Sequence, residues 1–175
     1  MNLVLIGHRC AGKTTVGKRV ADRLRRRFVD TDDLLQQRYG PIRTIVETGG
    51  WPYFRLLEKR IIKEISNQDD LVIAPGGGFV LDPDNVTALK KKGFLIWLKA
   101  EPQVLYARMM NDPRTLAQRP SLTGKGMMEE TEELIATRAP LYGRAAEVQL
   151  DTSTLDVETV MQRVLSIFKE KERRN

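Results

Sequence analysis

A parallel β-sheet with helices on both faces is the α/β fold this chain of 175 residues should adopt. Short apolar runs such as Leu3-Val4-Leu5-Ile6, Leu71-Val72-Ile73-Ala74 and Phe94-Leu95-Ile96-Trp97-Leu98 read as strands buried on both faces. Between them, apolar residues recur every four positions, as on the buried stripe of a helix. Strands alternating with helices imply βαβ crossovers, which make a sheet parallel.

The first strand, Leu3 to Ile6, leads through a glycine-containing loop into a helix carrying Val16, Val20 and Leu24. Phe28-Val29 is a short second strand that ends in Asp30-Thr31-Asp32-Asp33. Leu34 resumes an apolar pattern, so a helix N-cap is expected among Thr31, Asp32 and Asp33, with Asp33 taking that role. A helix over about 52–66 has Pro52 in its first turn and aligns Leu57, Ile61 and Ile65. The third strand, Leu71 to Ala74, runs into Gly76-Gly77-Gly78, and the fourth covers Phe94 to Leu98. A helix starting at Pro102 carries Leu105 and Met109. Over about 111–126 the periodicity fails and Pro, Gly, Ser and Thr are frequent, which predicts a functional lid. A helix follows over about 127–137, and Val148-Gln149-Leu150 is a fifth strand. The last helix uses Val160, Val164 and Phe168 and frays into a charged end at 169–175. No repeat or linker interrupts the chain, so residues 1–175 should form one domain.

Composition narrows the function. Apolar residues make up 41% and charged residues 30%, an ordinary globular balance. The single cysteine excludes an internal disulfide framework and fits a reducing compartment. No apolar run approaches a membrane span. The opening residues lack a basic leader and a signal-peptide core, so a cytoplasmic protein is expected. Lysine and arginine outnumber acids 29 to 23, a net charge of +6. Aromatics are only 6% and are not interleaved with basic clusters, which favours an anionic small molecule over nucleic acid as partner. No apolar stripe is left over once the core is assigned, so a monomer is expected.

Gly7-His8-Arg9-Cys10-Ala11-Gly12-Lys13-Thr14 matches G-x-x-x-x-G-K-[ST] in full. Glycines let successive N–H groups of such a loop face a phosphate, and the helix that follows presents its positive end to the anion. Lys13 can reach the β- and γ-phosphates, and the Thr14 hydroxyl can ligate magnesium. Gly7, Ala11, Gly12, Lys13, Thr14 and Thr15 are the candidate ATP contacts of this loop. His8 and Cys10 read as loop fillers, since the chain has one histidine and one cysteine and cannot complete a metal shell with them.

In an open parallel sheet, ligands bind beyond the carboxyl ends of the strands. The phosphate loop, Asp30 to Asp33, and Gly76 to Gly78 all leave such ends and should meet in one crevice. Asp30 and Asp32 stand two apart and would point the same way on an extended segment. One can serve magnesium and the other can accept a proton from a substrate hydroxyl. Gly76-Gly77-Gly78 implies close backbone approach, with free N–H groups that can hold an anion. Arg55, Arg119 and Arg138 suit carboxylate or phosphate recognition.

These pieces together resemble the shikimate kinase family over nearly the whole chain. The resemblance rests on the phosphate loop, Phe28-Val29-Asp30-Thr31-Asp32, Phe54-Arg55 with Glu58, Gly76-Gly77-Gly78, Arg119-Pro120, and Arg138-Ala139-Pro140-Leu141-Tyr142. It implies a three-layer P-loop NTPase fold with a five-stranded parallel sheet, a mobile lid near 111–126 and a substrate-binding helical region near 33–62. It implies transfer of the ATP γ-phosphoryl group to the 3-hydroxyl of shikimate, with Mg2+, in aromatic amino acid biosynthesis. Carried over by position, Lys13 binds phosphate, and Thr14 and Asp30 serve the metal. Asp32 meets the substrate hydroxyls and is the candidate base. Phe54, Arg55, Arg138 and Gly76 to Gly78 surround the shikimate, with the Gly77-Gly78 backbone on its carboxylate. Arg119 closes onto the transferring phosphate, and Arg108 lies against adenine. Pro75, Ser121 and Trp51-Pro52 depart from the family pattern, and acceptors such as gluconate or a nucleoside monophosphate stay open. So does a nucleotide-switched regulatory or nucleic-acid-binding module.

Overall fold

The computed structural model describes residues 1–112 and 126–174. The expected lid over 111–126 therefore lies almost wholly outside the described residues, and Arg119, Pro120 and Ser121 lie outside them entirely.

Five strands form one parallel sheet: β1 (Asn2–Ile6), β2 (Arg27–Asp30), β3 (Leu71–Ala74), β4 (Gly93–Lys99) and β5 (Val148–Asp151). Their order is β2-β3-β1-β4-β5. The register pairs Val4 with Ile73 on one side of β1 and Leu3 with Phe94 on the other. The chain first winds from β1 toward β2 and later crosses to β4. The strand order therefore switches direction beside β1, and the crevice opens there.

The helices are α1 (Lys13–Leu24), α2 (Thr31–Tyr39), α3 (Ile42–Ile65), α4 (Pro83–Lys90), α5 (Pro102–Met110), α6 (Met127–Ala145) and α7 (Val157–Arg174). Alternation along the strands divides the apolar interior in two. Val4, Ile6, Ile73, Leu95 and Trp97 face α2, α3, α4 and α6 through residues such as Leu35, Leu57, Ile61, Leu89 and Tyr142. Leu3, Leu5, Val72, Ile96 and Leu98 face α1, α5 and α7 through Val16, Val20, Leu105, Met109, Val164 and Phe168.

Four helices differ from the sequence expectation, and one of them, α7, stays helical to Arg174 where a frayed end from 169 is expected. α3 begins at Ile42 rather than Pro52, but Gly50 breaks it with φ 71° and ψ 174°, and Pro52 restarts the helical path. α6 runs on past Thr137 to Ala145, because Pro140 removes one N–H while the buried contacts of Tyr142 and Ala145 hold the helix. α4 forms on Asp82, whose carboxylate accepts from the Asp84 N–H, with Pro83 at the first position.

Candidate active site

The phosphate loop follows β1. Gly7 has φ 142°, and a Cβ there would stand 2.5 Å from the Leu98 carbonyl oxygen, so only glycine fits. α1 starts at Lys13 with Gly12 as its N-cap, and no side chain caps it or adds an acid to its first turn. The N–H groups and positive end of α1 are thus left for an anion. Lys13 Nζ donates to the carbonyls of Gly7 and His8, each at 2.9 Å. The His8 Nδ1 bonds the Arg9 carbonyl at 3.0 Å, so the ring proton is on Nδ1. Burial holds the His8 pKa down at about 3, and the ring stays neutral.

Thr14 Oγ1 donates to Asp30 Oδ2 at 2.6 Å. The other oxygen, Asp30 Oδ1, accepts from the N–H of Asp32 at 3.0 Å and of Asp33 at 3.3 Å. Asp30, not Asp33, is therefore the cap of α2. The strand extends through Asp30 and the helix starts at once on Thr31, so Asp30 and Asp32 do not share an extended segment either. Asp30 turns to the phosphate loop, while Asp32 Oδ1 crowds Gly76 from the first turn of α2. Burial raises the Asp30 pKa, the Asp32 charge adds to the rise, and the Thr14 hydroxyl opposes it.

Two glycines of the triplet, Gly76 and Gly78, are crowded. A Cβ on Gly76 would stand 2.6 Å from Asp32 Oδ1 and 2.9 Å from Glu58 Oε1, and one on Gly78 would overlap the Arg55 guanidinium. The Gly76 N–H donates to Thr31 Oγ1 at 2.9 Å, so it is not one of the free donors expected for an anion. The Gly77 carbonyl accepts from the Tyr142 hydroxyl and from Arg138 Nη1, the latter at 3.4 Å.

Two arginines frame the space beyond. Arg55 Nη1 donates to Glu58 Oε2 at 2.7 Å, and its guanidinium lies 5.1 Å from the Phe54 ring centre and 5.8 Å from that of Trp51. Glu58 is 1% exposed, and its Oε1 has no partner among the described residues. Burial lifts its pKa to about 7, with the Arg55 charge opposing. Arg138 is 6% exposed, and desolvation lowers its pKa. Burial raises the Tyr142 hydroxyl well above its ordinary range.

These groups line two adjoining cavities. The smaller lies between Asp32, Phe54, Arg55, Glu58, Gly76 to Gly78 and Arg138. The larger is a groove along Ala11 to Thr15 that reaches Arg108 and Thr152. Arg108 donates to the Thr152 carbonyl at 2.8 Å and to its hydroxyl at 3.3 Å, which fixes the guanidinium at the far end of the groove. Every sequence-predicted site residue among the described residues borders this pair of cavities except Gly7, which underlies the loop. Sequence reading named Glu58 and Tyr142 only as motif residues and Thr31 only as a possible cap, and gave none of them a place in the site. Spacing gave a signal for two of them: Tyr142 lies four residues beyond Arg138 and Glu58 three beyond Arg55, each pair on one helix face.

The described residues hold no group of three or more His, Cys, Asp or Glu that could bind a metal by themselves. A cation here needs phosphate oxygens and water to complete its shell. Among the described residues, no helix is long and apolar enough to cross a membrane.

The family model for shikimate kinase matches residues 9–169. The shikimate kinase of Syntrophus aciditrophicus is 38% identical, with 96% of this chain and 91% of that protein aligned. Shikimate kinase 2 of Yersinia enterocolitica is 41% identical over 95% of this chain and 94% of its own. Among solved structures, a shikimate kinase from Acinetobacter baumannii in complex with shikimate superposes with a TM-score of 0.89. It is 29% identical and covers 97% of this chain and 93% of that one.

Proposed function

The chain belongs to the shikimate kinase family, and from that premise we propose how its residues carry the γ-phosphoryl group of ATP to the 3-hydroxyl of shikimate. The observation that carries the reading is a small cavity lined by three arginines, Arg9, Arg55 and Arg138, and two carboxylates, Asp32 and Glu58, adjoining a phosphate loop. Phosphoryl transfer needs positioned charge more than covalent chemistry.

The phosphates of ATP lie along Gly7, Ala11, Gly12, Lys13, Thr14 and Thr15, with adenine near Arg108. Lys13 exchanges its two loop carbonyls for phosphate oxygens. Thr14 spends its hydroxyl hydrogen on Asp30, which leaves the oxygen lone pairs for a cation. Mg2+ fits that arrangement, and Thr14 and Asp30 would hold it. When bound, it would supply positive charge to neutralise the phosphate oxygens. Arg55, Arg138 and the Gly77-Gly78 backbone take the shikimate carboxylate, and Phe54 packs against the ring. Asp32, at the junction of the two cavities, orients the acceptor hydroxyl and accepts its proton. Arg119, in a lid over about 111–126, closes on the transferring phosphate and excludes water. Residues 33–62 form the acceptor region of a single kinase domain, 1–175, that works as a cytoplasmic monomer.

The acceptor cavity is the smaller of the two, and Arg55 and Arg138 suit one carboxylate there, which favours shikimate over a nucleoside monophosphate. A coupled ADP-release assay with ATP and magnesium tests this. Turnover with shikimate, and background rates with gluconate, nucleoside monophosphates or no acceptor, is the expected result. Turnover with another acceptor alone would overturn the assignment and keep the fold.

A further inference from the structure

Four residues line both cavities: Arg9, Asp32, Ile42 and Gly77. Arg9 is the cation among them, and the reaction described above gives it no role. Its side chain is 13% exposed, and its Nη2 donates at 2.7 Å to Glu130 Oε1, on a carboxylate that is only 2% exposed. Its Nε is buried with no partner among the described residues. Glu130 stands in the first turn of α6, and Leu134 and Arg138, four and eight residues on, line the acceptor cavity. One helix face thus holds both the acceptor's arginine and the carboxylate that grips Arg9.

A buried ion pair adds little net stability, because desolvation offsets the attraction. Its value lies in fixing a direction. A guanidinium presents five donors in a rigid fork, and one is used here by Glu130. The unmatched Nε is a buried donor of the kind normally met by water or ligand.

We propose that Arg9 contacts the phosphoryl group in flight, with Glu130 as the positioning residue that aims it. The proposal rests on the kinase reading above. In the step, the bond from the γ-phosphorus to the β–γ bridging oxygen breaks, and a bond to the acceptor oxygen forms. The acceptor proton passes to the Asp32 carboxylate. Arg9 exchanges no atom. It donates to an equatorial oxygen whose position shifts from the nucleotide groove toward the acceptor cavity, and it sits where those two spaces join.

The test compares wild type, Arg9→Ala, Arg9→Lys and Glu130→Gln in steady-state turnover. It also measures binding of ADP alone, acceptor alone, and acceptor with ADP and aluminium fluoride, which mimics the phosphoryl in transit. Wild type is assayed first with whichever acceptor it turns over, so failure with shikimate counts against the function reading and not against this one. Arg9→Ala should lower kcat by about 10²-fold. Its affinity for ADP and acceptor should stay near that of wild type, while the fluoride complex weakens in step with kcat. Free guanidinium at millimolar levels should restore part of the rate. Glu130→Gln should lower kcat less and weaken only the fluoride complex. If Arg9→Ala does not fold, Arg9→Lys carries the test, because it keeps the charge and loses the fork. Unchanged kcat in a folded Arg9 variant would overturn the proposal. So would a loss of ADP affinity as large as the loss of the fluoride complex.

Discussion

Replacing Glu58 by glutamine should make the protein more stable at pH 8 and a poorer enzyme. Glu58 is 1% exposed, and burial raises its pKa from an ordinary 4.5 to about 7. Between those two values the folded state holds a proton that the unfolded state releases. Stability is therefore greatest below pH 4.5 and falls as the pH rises through 7. Each pH unit across that window is worth about 1.4 kcal/mol, so the folded protein carries about 3 kcal/mol of penalty above pH 7. Glutamine keeps the shape and an acceptor for Arg55, and it has nothing to ionise. Urea unfolding at pH 4.5 and pH 8 measures both proteins under conditions that do not screen charge. The stability of Glu58→Gln relative to wild type should rise by about 3 kcal/mol between the two pH values, at constant m-value. The acceptor KM should rise about tenfold, since a charge-assisted bond of about 1.5 kcal/mol to Arg55 is lost. Parallel pH profiles in the two proteins would refute the reasoning.

Four further outcomes are expected. Asp32→Asn should cut kcat by about 10²–10⁴-fold with both KM values little changed, as read by steady-state kinetics. Arg138→Lys loses the bidentate fork and should raise the acceptor KM about tenfold or more while the ATP KM stays put. Gly78→Ala places a methyl where the Arg55 guanidinium lies, so shikimate titration should show weakened binding while circular dichroism shows an intact fold. His8 titrates at about 3 in the fold against an ordinary 6.5, so the unfolded state binds the extra proton between those values, and stability drops as pH falls through that window. Acid unfolding of His8→Asn should show that part of the slope removed, about 2 kcal/mol at pH 5.

Strands β1, β3 and β4 were legible because each holds a continuous apolar run, and a doubly covered sheet requires such runs. The convergence of three loops followed from parallel topology alone. The cap of α2 was not legible, because Asp30, Thr31, Asp32 and Asp33 all carry capping chemistry. What decides among them is where β2 stops pairing with β3, at Asp30 with Ala74. The true length of α6 was hidden by Pro140, a local stop signal overridden by the burial of Tyr142 and Ala145. The glycine triplet was read correctly as a place of close approach. What approaches, the carboxylates of Asp32 and Glu58 and the fork of Arg55, comes from helices far away in sequence. The same holds for Arg9 and Glu130, 121 residues apart.

The split of the apolar interior by the sheet has an evolutionary reading. Asp32, Phe54, Arg55, Glu58 and Arg138 stand on helices anchored in one apolar layer, while α1 and Arg108 stand on helices anchored in the other. Substitutions that reshape the acceptor pocket can therefore accumulate in one layer without loosening the footing of the nucleotide. Drift in what such a scaffold phosphorylates, with constancy in what it phosphorylates from, is what this partition permits.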